Sequence, residues 1–148
     1  MSLLLFLAAA AAQPEWTTGP QMFVTRVYRQ YRHRPFSPLE HPERWFTPEL
    51  TAAIRADGAG GEVGYLDGDP LCDCQDYQRL SMRITNYVQM GPNKVSVGVH
   101  VDLGVKPSGT RDLWLQLRRT PSGWRIADVG TADHPSLWRA LRRSNARR

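Results

Sequence analysis

The sequence has little of what usually settles a function. Only two of its 148 residues are cysteine, so it is not a disulfide-dense miniature scaffold. No block of like charge runs long enough to make a nucleic-acid-binding arm, although 19 basic against 14 acidic residues leave a net charge of +5. No apolar run reaches the roughly 20 residues that span a bilayer. No C-x-x-C motif occurs, and His33, His41, His100 and His134 show no paired spacing, so the usual dithiol-oxidoreductase and zinc signatures are absent. No cofactor, metal or nucleic acid is therefore expected. There is also no internal repeat, linker or low-complexity stretch, and the length suits one domain with one core.

What is present begins with Leu3 to Ala12, an uninterrupted apolar run of ten residues. That is the length of a signal-peptide h-region, and Ala10-Ala11-Ala12 supplies small residues for cleavage before Gln13. The segment before the run carries no Lys or Arg, only the α-amino charge. The expectation is a signal peptide over residues 1–12 and a single α+β domain over residues 13–148. It places the protein in the periplasm or outside the cell, with no integral membrane segment after cleavage.

Thr17-Thr18-Gly19-Pro20 reads as a helix start, followed by Phe23, Val24, Val27, Tyr28 and Tyr31 along one helical face. Pro35 and Pro38 end it. Thr47 is the expected N-cap of a second helix, with Pro48 at its first position and Leu50 and Ile54 facing inward. From Ser81 the period drops to two. Met82, Ile84, Val88 and Met90 are expected inside, with Arg83, Thr85, Tyr87 and Gln89 outside. Val95, Val97, Val99, Val101 and Leu103 form the clearest strand, Leu113, Leu115 and Leu117 a third, and Trp124 to Val129 a fourth. A short helix from about Pro135 to Arg143 follows. The fold class is α+β: N-terminal helices packed on a curved antiparallel four-stranded meander, with a short C-terminal helix.

Four sets of residues carry the resemblance to a known fold. They are Phe23-Val24-x-x-Val27-Tyr28, Phe46-Thr47-Pro48-Glu49-Leu50, Asp69-Pro70 with Gln75-Asp76, and Gly123-Trp124-Arg125-Ile126. In this order the chain resembles the nuclear-transport-factor-two-like (cystatin-like, SnoaL-like) cone fold. More narrowly, it looks like an exported bacterial family classed as a domain of unknown function. The resemblance implies a cone-shaped pocket, an exported setting and a sheet face used for self-association. It implies no activity, since such folds host enzymes, carriers and inhibitors.

The densest polar segment runs from Asp67 to Asp76, with four carboxylates at Asp67, Asp69, Asp73 and Asp76. Its spacing departs from an EF-hand loop, so these side chains read as turn-capping or binding groups rather than a calcium site. Asp69, Asp73, Gln75 and Asp76 are the binding candidates there. Cys72 and Cys74, two apart, are a candidate disulfide in an oxidising compartment. By the two-residue period, Asp128 shares the inner face with Trp124 and Ile126, and Asn86 interrupts the inner face of the first strand. Both are therefore candidates for a pocket wall. A carboxylate desolvated there could serve as a general base, which makes Asp128 the catalytic candidate. The opposite face would show Arg83, Tyr87, His100, Trp114, Gln116 and Arg118, the composition of an interface core. The C-terminal arginines from Arg139 to Arg148 read as a solvated basic end.

These features support a binding or interaction module with a cone-shaped pocket and a homodimer face, taking a small-molecule or protein ligand. Two alternatives stand beside it: an enzyme using a pocket carboxylate, and an immunity-type inhibitor that masks a toxin with a surface patch. A polar-walled pocket favours the first two. A filled cone with a conspicuous patch favours the third.

Overall fold

A computed structural model of the chain describes residues 19–33, 35–61 and 63–148. The expected signal peptide over residues 1–12 lies outside them. Helix α1, Pro20–Arg29, starts after Gly19 with its proline in the first turn, where the missing N–H would have no helical partner. It buries Phe23, Val24, Val27 and Tyr28, and a 3-10 turn over Gln30–Arg32 adds Tyr31 to the same stripe. Helix α2, Pro48–Gly58, is capped as the sequence predicts, the Thr47 hydroxyl accepting from the Leu50 N–H at 3.4 Å. It turns Leu50, Thr51, Ile54 and Asp57 inward.

Strands β1 (Ser81–Gly91), β2 (Lys94–Asp102), β3 (Thr110–Thr120) and β4 (Gly123–Gly130) form one antiparallel sheet in the order β1-β2-β3-β4. Helix α3, Leu137–Asn145, follows and packs on α2 and β4. Val95, Val97, Val99 and Val101 of β2 and Leu113, Leu115 and Leu117 of β3 share one buried face. They join Phe23, Val24, Val27, Leu50, Ile126 and Leu141 in one core. Each such side chain contributes about 1.5–3 kcal/mol on burial, so this face is the main source of stability. The edge at β4 is closed by residues 45–47: the Thr47 N–H donates to the Ile126 carbonyl at 2.9 Å and the Ile126 N–H to that of Trp45 at 2.8 Å. Strand β1, at the other edge, has a strand neighbour on one side only among the described residues.

Strand β1 departs from the sequence expectation. Its pairing steps from Ile84↔Val99 to Asn86↔Gly98, which leaves Thr85 as a bulge. Directly paired residues share a face, so Tyr87 and Gln89, opposite Val97 and Val95, take the valine face after the bulge. Asn86 and Val88, opposite Gly98 and Ser96, move to the other face. The expected placing of Asn86 and Val88 inside and of Tyr87 outside is thus reversed. The cause lies across the ladder: a Cβ on Gly98 would sit 2.9 Å from Thr85 Oγ1 and 3.1 Å from Asn86 Cβ. The bulge occupies space that only glycine leaves. The far half of β1 is left uncovered, with Tyr87 37%, Val88 44% and Met90 57% exposed.

Candidate functional site

A cleft of about 490 Å³ opens at one rim of the domain, beside the packed interior. Its walls are the loop from Tyr65 to Gln75, Arg111 at the start of β3, Val129 near the end of β4, and His134 and Leu137 at the entry to α3. Leu66, Pro70, Val129 and Leu137 supply apolar lining, and Asp67, Asp69, Asp73, Gln75, Arg111 and His134 the polar groups.

The acidic loop is a folded object. The Asp69 N–H donates to the Cys74 carbonyl at 2.8 Å, and the Leu71 N–H to the Asp69 carboxylate at 2.8 Å. Cys72 and Cys74 are joined by a disulfide around Asp73 in a left-handed conformation with φ +48°. Three outside elements fix this loop in place. Tyr28 of α1 donates to the Leu71 carbonyl at 2.6 Å, and Tyr31 to the second oxygen of Asp69 at 2.6 Å. Arg111 donates to the carbonyls of Asp73, Ser108 and Thr110 at 3.1, 2.9 and 2.9 Å, clamping the loop to the β2–β3 turn. The other end of the wall hangs from Asp57, whose two carboxylate oxygens accept from the N–H groups of Tyr65 and Leu66, both at 2.9 Å. Gly64 is required beside it, because a Cβ there would overlap the Asp57 carboxylate. Tyr65 in turn reaches His134 Nδ1 at 3.1 Å across the mouth.

The electrostatics of the site centre on Asp69. Burial pushes its carboxyl up to about 6, while the hydrogen bonds from Tyr31 and the Leu71 N–H pull it the other way. Burial, reinforced by the Asp69 charge, pushes the Tyr28 and Tyr31 phenols far above their ordinary value, so both remain protonated donors. No group of three metal-ligating side chains is gathered among the described residues. Asp69 already spends both oxygens within the protein.

Three of the sequence candidates, Asp69, Asp73 and Gln75, meet in this cleft. Asp76 points elsewhere, its carboxylate accepting from the Tyr77 N–H at 2.7 Å. Asn86 sits on the exposed part of β1. Asp128 is not on the inner face. Pairing steps from Leu117↔Ile126 to Gln116↔Asp128, so Ala127 bulges and Asp128 turns to the face opposite the valines. There it accepts from Ser136 Oγ at 2.6 Å, the Trp138 N–H at 2.9 Å and the Val129 N–H at 2.9 Å, which anchors the start of α3. The cavity that would have activated it as a base is not around it.

The expected interface set is also divided. Arg83, His100, Trp114 and Arg118 lie opposite the valines, but Tyr87 does not. Trp114 is half-buried by its own chain: a Cβ on Gly130 would overlap the indole and lie 2.7 Å from the Pro135 carbonyl. His100 Nδ1 meets Asp112 at 2.7 Å, and Arg118 reaches Glu49 of α2 at 2.5 Å. At the C-terminal end, Arg148 donates to the Asp57 carbonyl at 2.6 Å and Arg142 lies over the Trp138 ring, so neither is a free basic tail residue.

Sequence reasoning does not find Asp57, Tyr65, Arg111 or His134. Asp57 carried one usable signal: an acid in the last turn of a helix opposes the helix dipole and needs another reason to be there.

Comparison with known proteins adds the fold and little chemistry. No family model matches the chain. It is 28% identical over 154 aligned residues to the uncharacterized protein YqhG of Escherichia coli K12, covering 97% of this chain and 49% of that protein. The chain thus spans about half the length of the curated relative it matches. A chain in the crystal structure of the type VI effector-immunity complex Tae3-Tai3 from Ralstonia pickettii superposes with a TM-score of 0.56 at 17% identity. That match covers 78% of this chain and 96% of the other, and shows a shared fold. A phospholipid-binding protein from Ralstonia solanacearum aligns more loosely, with a TM-score of 0.36 at 15% identity over 80% of this chain and 58% of that one.

Proposed function

We propose that the chain is an exported binding module that holds its ligand in the rim cleft, and that its helix–helix–meander order is the cone fold of the nuclear-transport-factor-two-like kind. The observation that carries this reading is the construction of the cleft. Tyr28, Tyr31, Asp57, Arg111 and a disulfide hold loops in place around about 490 Å³ of space, while the sheet–helix interior is filled by side chains. That volume is within the range of small-ligand sites. The mixed lining suits a ligand with an apolar body and a polar or basic group, the latter facing Asp67, Asp73 and Gln75. A disulfide beside the cleft accords with an oxidising compartment.

A second reading has its own support. Tyr87, Val88 and Met90 form an exposed apolar edge on β1, and the filled interior is what an inhibitor working by its surface would show. Under this reading the chain is an immunity-type protein that masks a partner, as the fold neighbour in an effector-immunity complex suggests by analogy.

Native mass spectrometry of the protein purified under mild conditions, followed by amide-shift mapping of what co-purifies, separates the two. The cleft reading expects a bound small molecule whose shifts centre on Leu66, Asp73, Gln75 and His134. A bound protein with shifts centred on Tyr87 to Met90 would replace it with the inhibitor reading.

A further inference from the structure

The rim cleft is not the largest concavity. A groove of about 750 Å³ runs between the end of α1 and the segment that enters β1, lined by Thr25, Tyr28, Arg29, Tyr31, Arg32 and residues 78–82. Its charge is one-sided. Arg29, Arg32 and Arg79 line it, and no carboxylate does among the described residues. Arg29 and Arg32 are three apart across the junction of α1 with the 3-10 turn, which puts both on the same side. Arg79 comes from the opposite wall, which is pinned by the N–H groups of Gln78 and Arg79 donating to the Leu103 carbonyl at 3.0 and 3.2 Å. Gly104 packs against that wall so closely that a Cβ would lie 2.9 Å from Arg79 backbone atoms.

The protein supplies acids to several other arginines. Arg55 has Glu43, Arg118 has Glu49 and Arg111 has Asp73. None of Arg29, Arg32 and Arg79 has an ion-pair or side-chain hydrogen-bond partner among the described residues. Three unpaired guanidiniums around one groove would repel one another, and an anion between them relieves that repulsion. Their planar donor forks match the oxygens of a phosphate, which they can bind two at a time. The groove is far larger than a bare ion. Leu80, Met82, Tyr28 and Tyr31 line it as well, so room for an organic remainder is built in. The phenolic hydroxyls are already committed to Leu71 and Asp69, so the arginines supply the charged recognition.

We infer that this groove is a second binding site, separate from the rim cleft, for a phosphate-bearing organic anion. The phosphate belongs either to a free phosphoester or to a lipid headgroup. Both are tested by titrating the full chain with glycerol 3-phosphate in solution and, separately, with phosphatidylglycerol vesicles against phosphatidylcholine vesicles. The wild type is expected to bind one of the two phosphate probes, and Arg29→Gln/Arg32→Gln/Arg79→Gln to weaken it by about tenfold or more, as loss of charge-assisted contacts implies. Arg119→Gln/Arg143→Gln/Arg147→Gln, with equal charge removed elsewhere, should leave binding unchanged. All six side chains are exposed, so melting temperatures should stay together and report folding independently. Binding in solution identifies a free phosphoester, and binding to phosphatidylglycerol vesicles alone identifies a headgroup. No binding of either probe, or equal weakening in the two variants, overturns the inference.

Discussion

Asp69 offers the sharpest test of how the cleft is built. Its carboxyl is largely withdrawn from water and titrates near 6 in the folded chain, against 3.8 for an unperturbed aspartate. A folded-state value above the unfolded one means that folding favours the protonated form. The associated stability is fully present below about pH 4 and is lost as pH rises through 6. Each pKa unit corresponds to ~1.4 kcal/mol, so the gap amounts to about 3 kcal/mol lost by neutral pH. Glu43 and Glu49 act in the opposite sense. Their carboxyls are held low, mainly by backbone N–H groups, and their contributions fade as pH falls. The raw pH profile of the wild type mixes these terms, and a difference measurement removes them.

Asp69→Asn keeps an oxygen for the Leu71 N–H and presents an amide that can donate to the Tyr31 oxygen, with no charge to desolvate. Urea unfolding of both proteins with the disulfide intact, at several pH values from about 4 to about 7.5, gives the comparison. The stability of the asparagine variant relative to wild type should rise by about 2–3 kcal/mol across that range, mostly between about pH 4 and 6 with its midpoint near 5. A difference that stays constant with pH would refute the reasoning. A difference that falls would show that the Tyr31 and Leu71 hydrogen bonds outweigh desolvation. If the rise is found, the chain keeps a carboxylate where an amide would be more stable at neutral pH, a local conflict of the kind that accompanies binding sites.

Three further outcomes follow from the packing. Val97→Asp should cost more than ~4 kcal/mol because Val97 is fully buried, whereas Ser96→Asp on the other face should cost ~1 kcal/mol or less; equal melting-temperature losses would contradict the β2 register. Asp57→Ala orphans the Tyr65 and Leu66 N–H groups and should cost about 2–4 kcal/mol, with faster amide exchange at residues 65 and 66; unchanged exchange would remove Asp57 from the wall of the cleft. Trp114→Ala should lower stability by about 1–3 kcal/mol without changing the sedimentation coefficient, because its neighbours are Gly130 and the loop before α3; a shift in sedimentation would restore the intermolecular face.

The elements were legible where their signals are local. Thr47-Pro48 caps α2, Phe23, Val24, Val27 and Tyr28 trace the face of α1, and Pro92-Asn93 and Pro121-Ser122 close two-residue hairpins. Site assignment failed where a non-local cause shifts a strand by one residue. Thr85 bulges because Gly98, on another strand, leaves room for it, and that step exchanges the faces of Asn86 and Tyr87. Ala127 bulges where Phe46 bridges to Ile126, and that step carries Asp128 from the inner face to the cap of α3. Alternation has a period of two, so one unpaired residue reverses every later assignment on its strand. The cleft was half legible for a related reason. The acidic loop stands out in the sequence, but the Tyr31 that holds Asp69 is 38 residues away, and the Arg111 that holds Asp73 is also 38 away. A loop rich in aspartate announces polarity; only the distant tyrosine, arginine and helix-end aspartate that satisfy it turn that polarity into a wall with a fixed shape.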